Sequence, residues 1–166
     1  MSEEHDAFTE PGSSEPIGEP LGPDKGLSLV CVLWLVNSAI GAVVALREKL
    51  PAEWIAGVYV GRDASAEFFK GGGTALSPGL PMMAIQAICT ILSTRSGRAG
   101  MAGSAGLTLL SVGGTLGVLV ETITYRVLSP KTFNYHKATI VLAAIVLAPL
   151  MSILSWRRVH ELRSGR

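Results

Sequence analysis

The sequence predicts an all-α integral membrane protein, a four-helix bundle behind a disordered acidic N-terminal tail. Three observations carry that expectation. The 166-residue chain is 48% hydrophobic and only 16% charged, an unusual balance for a water-soluble domain of this size. Its apolar residues gather in four blocks instead of recurring at the spacing of half-buried elements, and a run of ~20 is what a helix needs to cross a ~30 Å hydrocarbon layer. The charge is also split: residues 1–25 hold seven acids against Lys25, about −6, and leave about +7 for a body that suits anionic headgroups.

Residues 1–25 carry Pro11, Pro16, Pro20 and Pro23 among acids, serines and glycines. Such a segment buries too little apolar surface to offset its ordering entropy, so it is expected to be a disordered tail. An acidic, proline-rich head also lacks the basic n-region of a cleaved signal peptide, which makes the first apolar block a retained signal-anchor.

The membrane domain is expected over 26–158, with a short basic tail at 159–166. Its first span, about 26–46, is uncharged and stops at Arg47-Glu48-Lys49. In the connection over 47–75, Trp54, Ile55, Val58 and Tyr59 fall at the spacing of a short helix. Phe68 and Phe69 lie among Arg62 and Lys70, as suits the headgroup layer. Gly71-Gly72-Gly73 then breaks any helix; with no GK[ST] after it, this run is not a phosphate-binding loop.

The second span, about 76–94, takes Pro78 and Pro81 into its opening turns, where backbone N–H groups lack partners in any case. Met82, Gln86, Cys89, Thr90 and Ser93 form a polar stripe that should face protein. The turn Arg95-Ser96-Gly97-Arg98 is short enough to make the second and third helices antiparallel neighbours. The third span, about 99–128, would be roughly 45 Å of continuous helix and would have to tilt. Gly103, Gly106, Gly113 and Gly117 are its candidate packing positions, the last two as a GxxxG that lets another helix approach closely. After Pro130 and the turn KTFNYHK, the last span covers about 138–156, with Trp156 at the interface and Pro149 as a modest kink.

An even number of spans puts both termini on one side. Seven bases fall on each side, so the positive-inside count ties. Arginine density in the 95–98 turn and the C-terminal segment favours termini in the cytoplasm, and the expected location is the plasma membrane.

Four polar residues are candidates for an intramembrane site: Asn37, Gln86, Glu121 and Arg126. Asn37 and Gln86 fall at matching depth, so an amide-to-amide hydrogen bond is open to them, as glue or as the lining of a polar cavity. Glu121 is the one acid between Glu67 and Glu161, and at membrane depth it would be protonated or paired. Arg126, five residues on and about 140° round the same helix, is poorly set to pair with it. Cys31 and Cys89 suit apolar packing, and His5, His136 and His160 lack metal-ligand spacing.

The sequence implies no cofactor, no metal and no nucleic-acid partner. Its expected partners are the lipid bilayer and either a second copy or another membrane protein at the glycine-rich third span. Abundant packing surface with scarce chemistry makes a non-enzymatic accessory or self-associating protein the first expectation. A small carrier or ion-coupled transporter using Glu121, Asn37 and Gln86 is the second. A membrane enzyme acting on lipid or quinone is the third, and no nucleophile or acid–base pair supports it.

Overall fold

The computed structural model describes residues 22–54, 57–59, 61 and 63–165, with Trp54 described by its backbone alone. The chain is mostly helical. In order, the described residues form α1 (Lys25–Arg47), β1 (Glu53–Trp54), β2 (Val58–Tyr59), α2 (Ala64–Lys70), α3 (Leu80–Ser93), α4 (Gly97–Val120), α5 (Thr122–Leu128) and α6 (Tyr135–Ser164). Three helices, α1, α4 and α6, are long and apolar enough to cross a membrane. Nearly all of the expected acidic tail, together with Ile55 and Arg62, lies outside the described residues.

α1 starts at Asp24, whose carboxylate accepts the Leu27 N–H at 3.0 Å. It ends where Lys49 turns to φ 55° and the Leu50 N–H returns to the Ala45 carbonyl at 2.8 Å. The short helix expected around Trp54–Tyr59 is instead an antiparallel hairpin pairing Glu53 with Tyr59 and Trp54 with Val58. Gly57, at φ 75°, leaves the helical region between them, and the flanking aromatic and β-branched residues suit strands.

The helix boundaries differ from the expected apolar blocks in three places. The second block does not become a span-length helix. α3 has 14 residues, about 21 Å, and Leu76–Gly79 stay outside it. Residues 71–79 fold inward as a loop: the Thr74 N–H bonds the Ser77 carbonyl at 2.8 Å, the Ala75 N–H reaches the Leu50 carbonyl at 3.3 Å, and Thr74, Ala75, Leu76 and Ser77 are buried. The third block breaks at Glu121, which is extended (φ −77°, ψ 124°) between α4 and α5. Side chains of the following turn stabilise the break, since Thr124 and Tyr125 donate hydroxyls to the Val118 and Leu119 carbonyls, each at 2.7 Å. The helix of the fourth block runs on past Trp156 through the short basic tail to Ser164, where Arg157 and Arg158 both pair with Glu161 one turn on.

α4 packs most extensively against α6 and next against α3, while α1 packs on α6 and α3. The α4–α6 contact is lined with hydroxyls. Thr108 meets Ser155 at 2.9 Å, and Ser152 donates to Ser111 at 2.7 Å. On α3, Gln86, Thr90 and Ser93 are buried while Ile85, Ile88 and Ile91 are exposed, as the polar spacing anticipates; Met82, in the same stripe, stays exposed.

Two apolar clusters fill the bundle. One gathers Leu27, Cys31, Trp34, Leu107, Ala148 and Met151, and the other Ala45, Leu76, Val127 and Val141. Cys31 and Cys89 are both free, and Cys89 packs against the first cluster. That end of the bundle is tied by Arg157, 3.0 Å from the Asp24 carboxylate, and by buried Arg158, which donates to the Gly22 carbonyl at 2.7 Å. Burial pushes the Asp24 carboxyl up, but the Leu27 N–H and Arg157 outweigh it and hold the group below its ordinary value.

Candidate functional site

Between the two apolar clusters lies a cavity of about 400 Å³. α1 gives it Trp34, Asn37 and Ser38, and α3 gives Met82 and Gln86. α4 contributes a glycine face of Gly113, Gly114 and Gly117, and Glu121 closes one end. The inward loop forms a further wall with Thr74, Ser77 and Gly79. That wall depends on a close approach: a Cβ on Gly41 would stand 2.2 Å from the Leu76 carbonyl oxygen, so α1 admits the loop only where it has glycine.

Asn37, Gln86 and Glu121, 84 positions apart at their extremes, line this one cavity. The expected amide pair does not form. The Asn37 side chain donates to the Ile140 carbonyl at 3.2 Å, and Gln86 Nε2 lies 3.8 Å from Met151 Sδ, so each amide is anchored to α6. The four glycines divide. A Cβ on Gly103 or Gly106 would collide with α3, at 2.6 Å from the Ser93 nitrogen and 2.7 Å from Cys89 Sγ, whereas one on Gly113 or Gly117 would meet nothing within 4 Å. Within this chain the GxxxG faces the cavity and not a neighbouring helix.

A second cavity of about 460 Å³ lies beyond Glu121, lined by Glu53, Tyr59, Arg126, Asn134 and Lys137 among others. Glu121 and Ala75 belong to both linings. Glu121 Oε1 accepts the Glu53 N–H at 2.7 Å. Arg126 does not reach Glu121; it grips Glu53 through two contacts of 3.0 and 3.1 Å, and Lys137 pairs with Glu48.

Sequence reasoning missed Glu53 and the wall built by Thr74 and Ser77. No local signal marks Glu53, which meets Glu121 across 68 positions of chain. The wall had one, the dense run of glycine, proline and hydroxyl residues over 71–79.

No protein-family profile, curated protein or solved structure matches the chain.

Proposed function

We propose that the chain is a small multi-pass protein of the plasma membrane that binds a small solute in its central cavity and carries it, with Glu121 as the coupling carboxyl. The observation behind this reading is the convergence of Asn37, Gln86 and Glu121 on one cavity of about 400 Å³, a volume typical of small-molecule sites.

Support for lipid as the surrounding solvent comes from the inverted surface. Leu29, Ile40, Ile88, Leu109, Val146 and Ile153 are each about half exposed or more, while Ser38, Gln86, Ser104, Ser111 and Ser155 are buried. Ionic groups gather at two ends, Asp24, Arg157 and Arg158 at one and Glu48, Glu53, Arg126 and Lys137 at the other. In this reading four segments form a bundle: α1, α4 and α6 cross, and residues 71–93 complete the fourth by entering as an irregular loop and leaving as α3. Irregular backbone is tolerated at depth when it is buried in protein or lines a cavity. Both ends of the domain then face the cytoplasm.

Uptake into reconstituted vesicles across a panel of small polar and amphiphilic solutes, with and without a pH gradient, tests the reading. Wild-type vesicles should accumulate at least one solute class faster than protein-free vesicles, and Glu121→Gln should abolish the response to the gradient. Flux equal to protein-free vesicles across the panel would contradict the proposal.

A second reading, a self-associating or accessory bundle, rests on α4. Its apolar window is 22% buried, against 39% for α1 and α6, which leaves an unpartnered face around Leu109 and Leu116. Blue-native gels of mild-detergent extracts should then show a complex larger than the 17.4 kDa chain with its detergent.

A further inference from the structure

The central cavity has a pronounced electrostatic bias. Among the described residues its lining holds one ionisable carboxyl, Glu121, and no lysine, arginine or histidine. The remaining polar side chains are the neutral amides and hydroxyls of Asn37, Gln86, Ser38, Thr74, Ser77 and Thr124, set against glycine and aliphatic walls. The nearest bases, Arg126 and Lys137, lie in the outer cavity and are already engaged by Glu53 and Glu48. One oxygen of Glu121 accepts the Glu53 N–H; among the described residues its other oxygen has no hydrogen-bond partner. About two helical turns before Glu121 on α4, the buried indole of Trp34 lies over Gly114 and forms the wall away from the carboxyl. An anion entering this space would leave its charge unpaired beside a carboxyl. A cation with apolar substituents would find a counter-charge at Glu121 and an aromatic ring at the Trp34 wall.

From this arrangement we infer that the cavity selects small organic cations, amines or quaternary ammonium compounds, with Glu121 as their counter-ion. The inference rests on the small-solute reading of the cavity and adds the ligand class. Binding then competes with a proton, because the cation needs the ionised carboxyl. The titratable and charged groups facing Glu121 are Glu53 of β1, Tyr59 of β2, Arg126 of α5 and Lys137 of α6. Both bases are paired, which leaves Glu121 to set the pH response.

The test is calorimetric titration of purified protein in detergent with three probes of similar size: benzyltrimethylammonium, benzyl alcohol and benzoate. Benzyltrimethylammonium should bind best, benzoate should not bind, and affinity for the ammonium should fall as pH is lowered and the carboxyl takes its proton. Titration in two buffers of different ionisation heat should show protons released on cation binding at the low-pH end of that fall. Glu121→Gln, which can still accept the Glu53 N–H, should weaken the ammonium at least tenfold and leave benzyl alcohol within twofold. Should that variant misfold, the wild-type pH profile and proton release decide alone. Equal affinity for ammonium and alcohol at all pH values would overturn the cation assignment and keep the cavity as a solute site. If no probe binds, both readings fall.

Discussion

The backbone N–H of Glu53 donates to Glu121 Oε1 at 2.7 Å, joining a surface hairpin to the residue at which α4 breaks. The Glu53 carboxylate grips Arg126, so one residue serves as the intermediary that the Glu121–Arg126 spacing could not supply. The two halves of this connection differ in weight. Glu121 is 8% exposed, but the Arg126 side chain is 62% exposed. Arg126→Ala should therefore cost no more than about 1 kcal/mol. Glu121→Leu orphans the Glu53 N–H and should cost about 1–3 kcal/mol. Denaturation in mild detergent distinguishes them, and equal losses would place the weight on the outer ion pair.

The Asp24 carboxyl, at the start of α1 and outside its apolar run, is held below its ordinary value by the Leu27 N–H and Arg157, so the folded state binds its proton less tightly than the unfolded one. Its contribution to stability is complete at neutral pH and is lost as pH falls through the acid range. Melting temperature in detergent should therefore drop as pH is lowered below about 4 in the wild type. In Asp24→Asn, which can still cap α1, that slope should flatten; an unchanged slope would assign it to other groups.

Glycine substitutions separate the close approaches from the open face. At Gly41 a Cβ would meet the Leu76 carbonyl at 2.2 Å, so Gly41→Ala should destabilise by about 2 kcal/mol or more, or prevent accumulation. At Gly113 and Gly117 a Cβ meets nothing within 4 Å, and alanine should be neutral or stabilising by up to about 1 kcal/mol through helix propensity. Thermal melts of the three single variants test this directly. Strong loss at Gly113 would mean that the GxxxG packs against a partner.

The hydroxyl contacts between α4 and α6 carry their own expectation. Ser152→Ala removes the 2.7 Å bond to Ser111 and should cost about 0.6–2 kcal/mol. The Ser104 hydroxyl, fully buried and without a hydrogen-bond partner among the described residues, should be replaceable by alanine at no cost. A Ser104→Ala loss as large as that of Ser152→Ala would refute the assignment.

What could be read from the chain alone follows physical range. α1 was legible because an uncharged run bounded by Arg47 is a local property, and the buried Gln86–Thr90–Ser93 stripe because helical spacing is too. The Ser104, Thr108, Ser111, Thr115 spacing was equally local and went unread, since glycine dominates that helix. By contrast, α3 stops short at Leu80 because Leu76 is held against Gly41, and α4 stops at Glu121 because Thr124 and Tyr125 take up carbonyls behind it. Pro78 and Gly79 mark the first boundary without fixing how far the loop turns inward, and no glycine or proline marks the second, at Glu121. Asn37, Gln86 and Glu121 stood out singly as polar residues among apolar ones, but their meeting in one cavity required the inward fold of residues 71–79, which no spacing announces.

The solvent around the helices can be measured with single cysteines, in a background lacking Cys31 and Cys89, exposed to a charged, membrane-impermeant maleimide. Leu109 on α4 is 76% exposed and Tyr59 on the hairpin 58% exposed, so in water both positions would react. In sealed membrane vesicles of both orientations, Tyr59→Cys should be labelled in one of them, and Leu109→Cys should stay unlabelled until the protein is denatured. Rapid labelling of Leu109→Cys in intact membranes would contradict a lipid-facing α4 and, with it, the intramembrane cavity.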